Sequence, residues 1–355
     1  MAKLKVGIIG IGEIGTTKHL RQLTAHLDEV EITALCDLQV ERCEKANSDF
    51  GINAAVYTDY KEMLEKEQLD VVHVCTPNPL HAEMAIAAFG KGAHVYCEKP
   101  IACNYEDAKK ILAARDAAGK QLASGTQWRY NTAPMEMKRM FDNGEFGDVY
   151  YIRSTQLRPR RLPAYGVYTN KELNGGGVLM DGGPHSIDLP MWMTNNYDVA
   201  TVRGVTFDKM KNFPEGNDLG PWDPENFDVE DSAYAMITMK NGAMFYVETA
   251  WCSNMLQEAP GIVCSVAGTL AGADMVGPGF ENFVRVTKMV DGKLTTTTTE
   301  PEAKYDMWAY DMDKWVLAVT TGSEPAVTGE QAAVVTRVIE AIYRSAETGE
   351  TIVFD

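Results

Sequence analysis

Gly10-Ile11-Gly12-Glu13-Ile14-Gly15 directly follows a strand-like run, Leu4–Ile9, and opens a helical stretch. In that setting the first glycine permits a tight turn and the second lets the backbone approach a pyrophosphate. The third brings helix and strand close together, with the helix N-terminus facing the phosphates. An acid stands at the matching remove: Asp37 follows the run Val30–Cys36, 22 residues beyond Gly15. Its carboxylate would bond an adenosine ribose hydroxyl and repel a 2′-phosphate, and Leu38 rather than Arg or Ser follows it. The implied chemistry is dinucleotide binding, with NAD favoured over NADP; Arg42 moderates that preference. Gly10, Gly12, Glu13, Ile14, Gly15 and Asp37 are the expected cofactor contacts.

The elements that position such a cradle are legible in the first third of the chain. Strand-like runs at Leu4–Ile9, Val30–Cys36, Val71–Cys75, Ala93–Cys97 and Gln121–Ala123 are separated by helical stretches. One helix starts at Asn104, an N-cap with Asp107 three residues on, and stops at Gly119. Strand–helix alternation with short loops means a doubly wound parallel sheet. After about residue 125 a helix near Pro134 gives way to strands: Val149–Leu157, Thr201–Phe207, and hairpins turning at Asn241-Gly242 and Asp291-Gly292. Successive hairpins imply a large, open, mostly antiparallel sheet with a face free for partners. The expectation is α/β, with a Rossmann domain over 1–124 and an α+β substrate and oligomerisation domain over 125–355. The last helix, about 329–348, would pack back on the first domain. Thr295–Thr299 reads as a solvated edge strand.

Composition narrows the function classes. The 355 residues are 45% hydrophobic and 23% charged, and acids outnumber Lys+Arg by 50 to 33, a net charge of −17. Such a chain repels phosphate backbones and anionic membranes, so neither nucleic acid nor membrane is an expected partner. No apolar run reaches the roughly 20 residues a membrane span needs, and the first residues lack a signal-peptide pattern. Seven cysteines, with no C-x-x-C pair, point to a reduced, cytoplasmic protein. His185 and Asp188 lack a third metal ligand, so no metal is expected, and His19, His26, His73 and His94 read as structural or surface groups.

Three further segments carry a pattern: Cys75-Thr76-Pro77-Asn78-Pro79-Leu80-His81, Glu98-Lys99-Pro100, and Gly175 to His185 with Asp181 four residues before the histidine. With the glycine fingerprint and the closing Ile342-Tyr343-Arg344-Ser345-Ala346, they resemble the glucose–fructose oxidoreductase, inositol dehydrogenase and rhizopine-catabolism family of NAD(P)-dependent sugar and cyclitol dehydrogenases. The resemblance runs from about residue 3 to the end. It implies that Lys99, Asp181 and His185 line a catalytic cleft, that Thr76, Asn78 and His81 border the cofactor, and that Glu98 and Lys99 sit near the nicotinamide. It also implies a homodimer or homotetramer.

That assignment suits the chemistry. Oxidising a secondary alcohol needs a base while hydride leaves carbon, and histidine is the default residue type for that task, which points to His185. An ammonium at Lys99 would favour alkoxide-like charge on the reacting oxygen, while Asp181 orients His185 or grips a neighbouring hydroxyl. Pro100 fixes the backbone of Lys99 and admits a cis bond. Gly182-Gly183-Pro184 departs from the family's pattern, because proline would start a helix and leave Asp181 in the turn before it. Gln127, Arg129 and Tyr130 are expected to wall the nicotinamide and substrate. Arg158, within Arg158-Pro159-Arg160-Arg161, would hold an anionic substrate group or form surface ion pairs; Tyr165 and Lys171 would face the cleft. The leading expectation is NAD-dependent oxidation of a ring hydroxyl of a sugar, glycoside or cyclitol. Two others stay open: redox-assisted glycoside cleavage with bound, recycled NAD, and a non-enzymatic dinucleotide-sensing regulator.

Overall fold

The computed structural model describes residues 2–254, 263–276, 283–299 and 306–355. By internal contacts the chain forms two units, Met1–Gln127 with Met307–Thr336, and Trp128–Asp306 with Arg337–Asp355.

In the first unit six strands, β1 (Leu4–Ile9), β2 (Val30–Cys36), β3 (Ala55–Tyr57), β4 (Val71–Val74), β5 (His94–Cys97) and β6 (Leu122–Ser124), pair in parallel in the order β3-β2-β1-β4-β5-β6. The order reverses between β1 and β4, which opens a crevice at their carboxyl ends. Helices cover both faces, so the central strands are apolar throughout rather than alternating. On one face Val72, Val74 and Val95 pack against Met84, Ala88 and Phe89 of the helix His81–Gly90. On the other, Ile8, Leu35 and Tyr96 pack against Leu20, Leu23, Met312 and Trp315. Asn104 caps its helix by accepting from Asp107 N–H, and Gly119 ends it in the left-handed region. The short β3 and the helix Met307–Thr321, which supplies Met312 and Trp315, were not anticipated.

Among the described residues the second unit is built on a nine-stranded sheet, whose strands are β7 (Val149–Leu157), β8 (Val199–Phe207), β9 (Ser232–Met239), β10 (Met244–Ala250), β11 (Val263–Gly268), β12 (Ala271–Val276), β13 (Phe283–Val290), β14 (Lys293–Thr299) and β15 (Ile352–Val353). Their order is β14-β13-β12-β11-β7-β10-β9-β8-β15. All neighbours are antiparallel except β7 and β10. Asn241-Gly242 and Asp291-Gly292 turn their hairpins as expected, and Asp291 and Gly292 both take positive φ (49° and 74°), as a type I′ turn requires. Helices Thr132–Asp142 and Gly183–Thr194 pack together on one sheet face. No described helix is long and apolar enough to cross a membrane.

Candidate active site

The glycine loop bends where the parallel sheet reverses. Gly10 has φ +94°, and a Cβ there would stand 2.6 Å from the Cys75 carbonyl oxygen; a Cβ on Gly15 would stand 2.2 Å from the Gly10 carbonyl oxygen. These two glycines are therefore demanded by the fold itself. Gly12 differs: a Cβ there would meet nothing within 4 Å. Open space above a bare backbone at a helix start is what a pyrophosphate needs, so these residues fit a dinucleotide. Asp37 braces the same loop, accepting from Ile11 N–H at 2.8 Å and Gln39 N–H at 2.9 Å, with Arg42 Nη1 3.6 Å away. Each carboxylate oxygen keeps acceptor capacity for a ribose hydroxyl. A groove of about 590 Å³ runs beside Gly12 and Glu13, past Thr16, Arg21, Arg42 and Lys45. Ile14 packs on the core beneath.

The loops after β4 and β5 are tied together. Buried His81 places Nε2 2.8 Å from the Thr76 carbonyl and Nδ1 2.7 Å from the Pro100 carbonyl; burial lowers its pKa against the pull of those carbonyls. Its ring is thus a staple between two loops rather than a surface contact for the cofactor. Thr76 Oγ1 donates to Met84 Sδ, and Asn78 begins the 3₁₀ turn Asn78–Leu80. Lys99 follows Glu98 on the other side of the staple, in a cis peptide with Pro100, and its N–H donates to Glu98 Oε2 at 3.2 Å. Glu98 and Gln127, both expected beside the nicotinamide, are buried and bonded to Lys18, at 2.9 and 3.3 Å. Their side chains serve the first unit's interior.

Within the second unit the helix break anticipated at Gly182-Gly183-Pro184 is present. Asp181 ends the short helix Val178–Asp181, and His185 lies in the first turn of Gly183–Thr194, with Pro184 at its start. Trp251 Nε1 donates to Asp181 Oδ2 at 2.8 Å, and Tyr168 meets Trp251 edge-on, with Tyr165 edge-on to Tyr168. Exposed Tyr165 thus begins an aromatic path to Asp181. Trp128 stacks on the His185 ring, centroids 4.9 Å apart at 25°. Gln156, with its amide oriented to satisfy its neighbours, donates to the Gly182 carbonyl and accepts from Arg158 Nη2, both at 3.1 Å. Arg160, by contrast, reaches the Phe213 carbonyl and Asn254.

Arg129 is taken up by an ion pair inside the second unit. Arg129 is fully buried, its guanidinium forked onto Asp188 at 2.6 and 2.5 Å and bonded to Tyr197 Oη at 3.0 Å. Burial opposes its charge, but Asp188 outweighs this and raises the pKa. Tyr130 is buried as well. This clamp is not legible in the sequence, where Asp188 is weighed only beside His185 as a metal ligand, because its partner lies 59 residues away.

Glu230 and Trp251 were also missed. The Glu230 carboxylate accepts from Gly177 N–H, Leu179 N–H and Tyr343 Oη, capping the helix that ends at Asp181. Burial raises its pKa against those bonds. The glycines beside it have steric causes: a Cβ on Gly177 would meet the Glu230 carbonyl at 2.0 Å, and one on Gly176 the Tyr343 hydroxyl at 2.2 Å.

A model of an oxidoreductase family's NAD-binding Rossmann fold matches residues 4–126, and the same family's C-terminal alpha/beta domain matches residues 138–354. The chain belongs to the Gfo/Idh/MocA oxidoreductase family. Among the relatives of this Gfo/Idh/MocA chain, a D-glucoside 3-dehydrogenase of Escherichia coli is 31% identical over 349 residues, 98% of this chain and 97% of that one. An inositol 2-dehydrogenase of Salmonella typhimurium is 30% identical over 201 residues, 56% of this chain and 57% of that protein. Among solved structures, a levoglucosan dehydrogenase in complex with NADH and levoglucosan shares the fold at TM-score 0.84 and 22% identity, covering 99% of each chain.

Proposed function

We propose that this protein is an NAD-dependent dehydrogenase that oxidises a ring hydroxyl of a sugar, glycoside or cyclitol. The observation that carries the substrate class is the near full-length similarity to a D-glucoside 3-dehydrogenase. When NAD is bound, its nicotinamide accepts the hydride that leaves the substrate carbon. The chain supplies the rest. His185, held by Trp128, takes the hydroxyl proton as general base. Lys99 donates to the reacting oxygen and favours its developing negative charge. Asp181, fixed by Trp251, grips a neighbouring hydroxyl or orients His185. Tyr165 and Arg158 contact the sugar, and Thr76, Asn78, Asp37 and the glycine loop hold the cofactor. Neither glycoside cleavage with recycled NAD nor dinucleotide sensing is favoured by relatives named as dehydrogenases.

The proposed setting is the cytoplasm, in keeping with seven cysteines that are all free. Self-association as a dimer or tetramer is supported by the second sheet's outer face. There Val205 and Phe207 on β8 and Met236 on β9, all well exposed, lie beside Tyr234 and, on β10 opposite Met236, Tyr246. Light scattering on the purified chain measures it. A panel of glucosides, aldoses, uronates and cyclitols, followed by NADH absorbance with NADP in parallel, tests the activity. Lys99→Ala should abolish turnover and leave NAD affinity largely intact; a fully active Lys99→Ala would remove that residue from the mechanism.

A further inference from the structure

Beneath Lys99 the first unit buries a polar cluster that the proposed reaction does not use. The Lys18 ammonium, wholly buried, donates to Tyr96 Oη at 2.7 Å, Glu98 Oε1 at 2.9 Å and Gln127 Oε1 at 3.3 Å, with Asp311 Oδ2 at 3.1 Å. Tyr96 donates its hydroxyl proton to Asp311. Glu98 Oε1 also faces His19 Nε2 at 2.9 Å, His19 Nδ1 faces His73 Nδ1 at 2.7 Å, and Trp315 Nε1 donates to His73 Nε2 at 3.1 Å.

The protons in this chain are fixed from both ends. An ionised carboxylate only accepts, so His19 Nε2 carries a proton. An indole only donates, so His73 Nε2 is bare. The one arrangement that agrees has His73 Nδ1–H donating to His19 Nδ1, with both rings neutral. Burial lowers the pKa of both histidines, consistent with neutrality. An indole cannot release its proton at working pH, so the chain orients Glu98 rather than conducting.

A cluster of this kind is a poor way to stabilise a core. Apolar residues of similar volume usually do as well or better than a buried ion pair. What the cluster fixes is Glu98, whose other oxygen takes the Lys99 N–H, and a Cβ on neighbouring Gly125 would stand 2.4 Å from that oxygen. We infer that Lys18, His19 and Asp311 are positioning residues for the reaction, holding Glu98 and through it the backbone of the substrate-facing Lys99. The inference rests on the proposed role of Lys99. It assigns a catalytic purpose to the helix Met307–Thr321, which delivers Asp311 and Trp315 from far along the sequence.

The test compares full-length Lys18→Met and Glu98→Gln with wild type, using methyl D-glucoside and NAD. A backbone displaced under the reacting group costs kcat between about 10- and 100-fold, while the Kd for NAD should stay within about threefold, roughly 0.6 kcal/mol. The two variants change the buried charge in opposite senses. Lys18→Met removes a cation, so an ionisation governing kcat moves to higher pH; Glu98→Gln removes an anion and moves it to lower pH. Shifts of one sign in both variants, no shift in either, or a loss confined to NAD affinity would overturn the inference. Should Lys18→Met fail to fold, Glu98→Gln still carries the downward shift. In wild-type enzyme with labelled histidine, nitrogen NMR must show His19 protonated on Nε2 and His73 on Nδ1; any other tautomer pair defeats it. A Lys99→Ala enzyme that keeps its activity defeats the proposed mechanism itself. An inactive Lys99→Ala beside unshifted Lys18 and Glu98 variants defeats only the positioning role.

Discussion

The glycine loop allows cofactor binding and folding to be separated by adding one carbon at each of two positions. Gly12→Ala places a methyl where nothing lies within 4 Å and where φ is not in the left-handed region. The apo protein should therefore change stability by less than about 1 kcal/mol, with the lower entropy of the unfolded alanine chain acting in its favour. The same methyl occupies the approach of a pyrophosphate. Loss of one charge-assisted N–H bond to phosphate costs about 1.5–3 kcal/mol, a weakening of NAD binding between about 10- and 150-fold. Gly10→Ala is the converse, because φ +94° and the Cys75 carbonyl at 2.6 Å are both backbone obstacles that no rotamer relieves. It should destabilise the apo protein by about 1–3 kcal/mol. Calorimetric NAD titration and urea denaturation without cofactor measure the two quantities. Wild-type NAD affinity in Gly12→Ala, or wild-type stability in Gly10→Ala, would refute the reading of this loop.

Three other outcomes are expected. Arg129→Met strands buried Asp188 without its cation and should cost about 3–5 kcal/mol by chemical denaturation, whereas Arg129→Met/Asp188→Leu should recover most of the loss. Burial opposes the Glu98 charge, but Lys18 and His19 outweigh it and hold the carboxyl well below its usual range. Its stabilisation is therefore complete above the ordinary glutamate value of about 4.3 and is lost as pH falls toward the folded value; acid unfolding should be less steep in Glu98→Gln, followed by circular dichroism. Asp37→Ser removes the charge that repels a 2′-phosphate, so the ratio of NADP to NAD affinity should rise by an order of magnitude or more, about 1.4 kcal/mol.

What could be read from the sequence was local. Gly10 to Gly15, the Asn104 cap, the Asp291-Gly292 turn and the break before Pro184 each state their geometry within a few residues. Interactions closed across long stretches of chain could not be read. Lys18 meets Asp311, and His73 meets Trp315, only after the chain has built the second unit and returned. Arg129 looked like a cleft residue because its partner Asp188 lies 59 positions on. The helix Met307–Thr321 escaped notice because buried Asp311 interrupts its apolar face. β11 and β12 escaped because glycine and alanine, weak strand formers, make up much of them.

The central claim is direct transfer of hydride from a sugar ring carbon to NAD. A D-glucoside deuterated at its ring carbons, incubated with the enzyme and NAD, tests it by mass spectrometry of the dinucleotide. One deuterium per NADH formed, with a keto-glycoside in equal amount, is the predicted result. Unlabelled NADH, or glycoside consumed while NAD stays oxidised, would contradict the account.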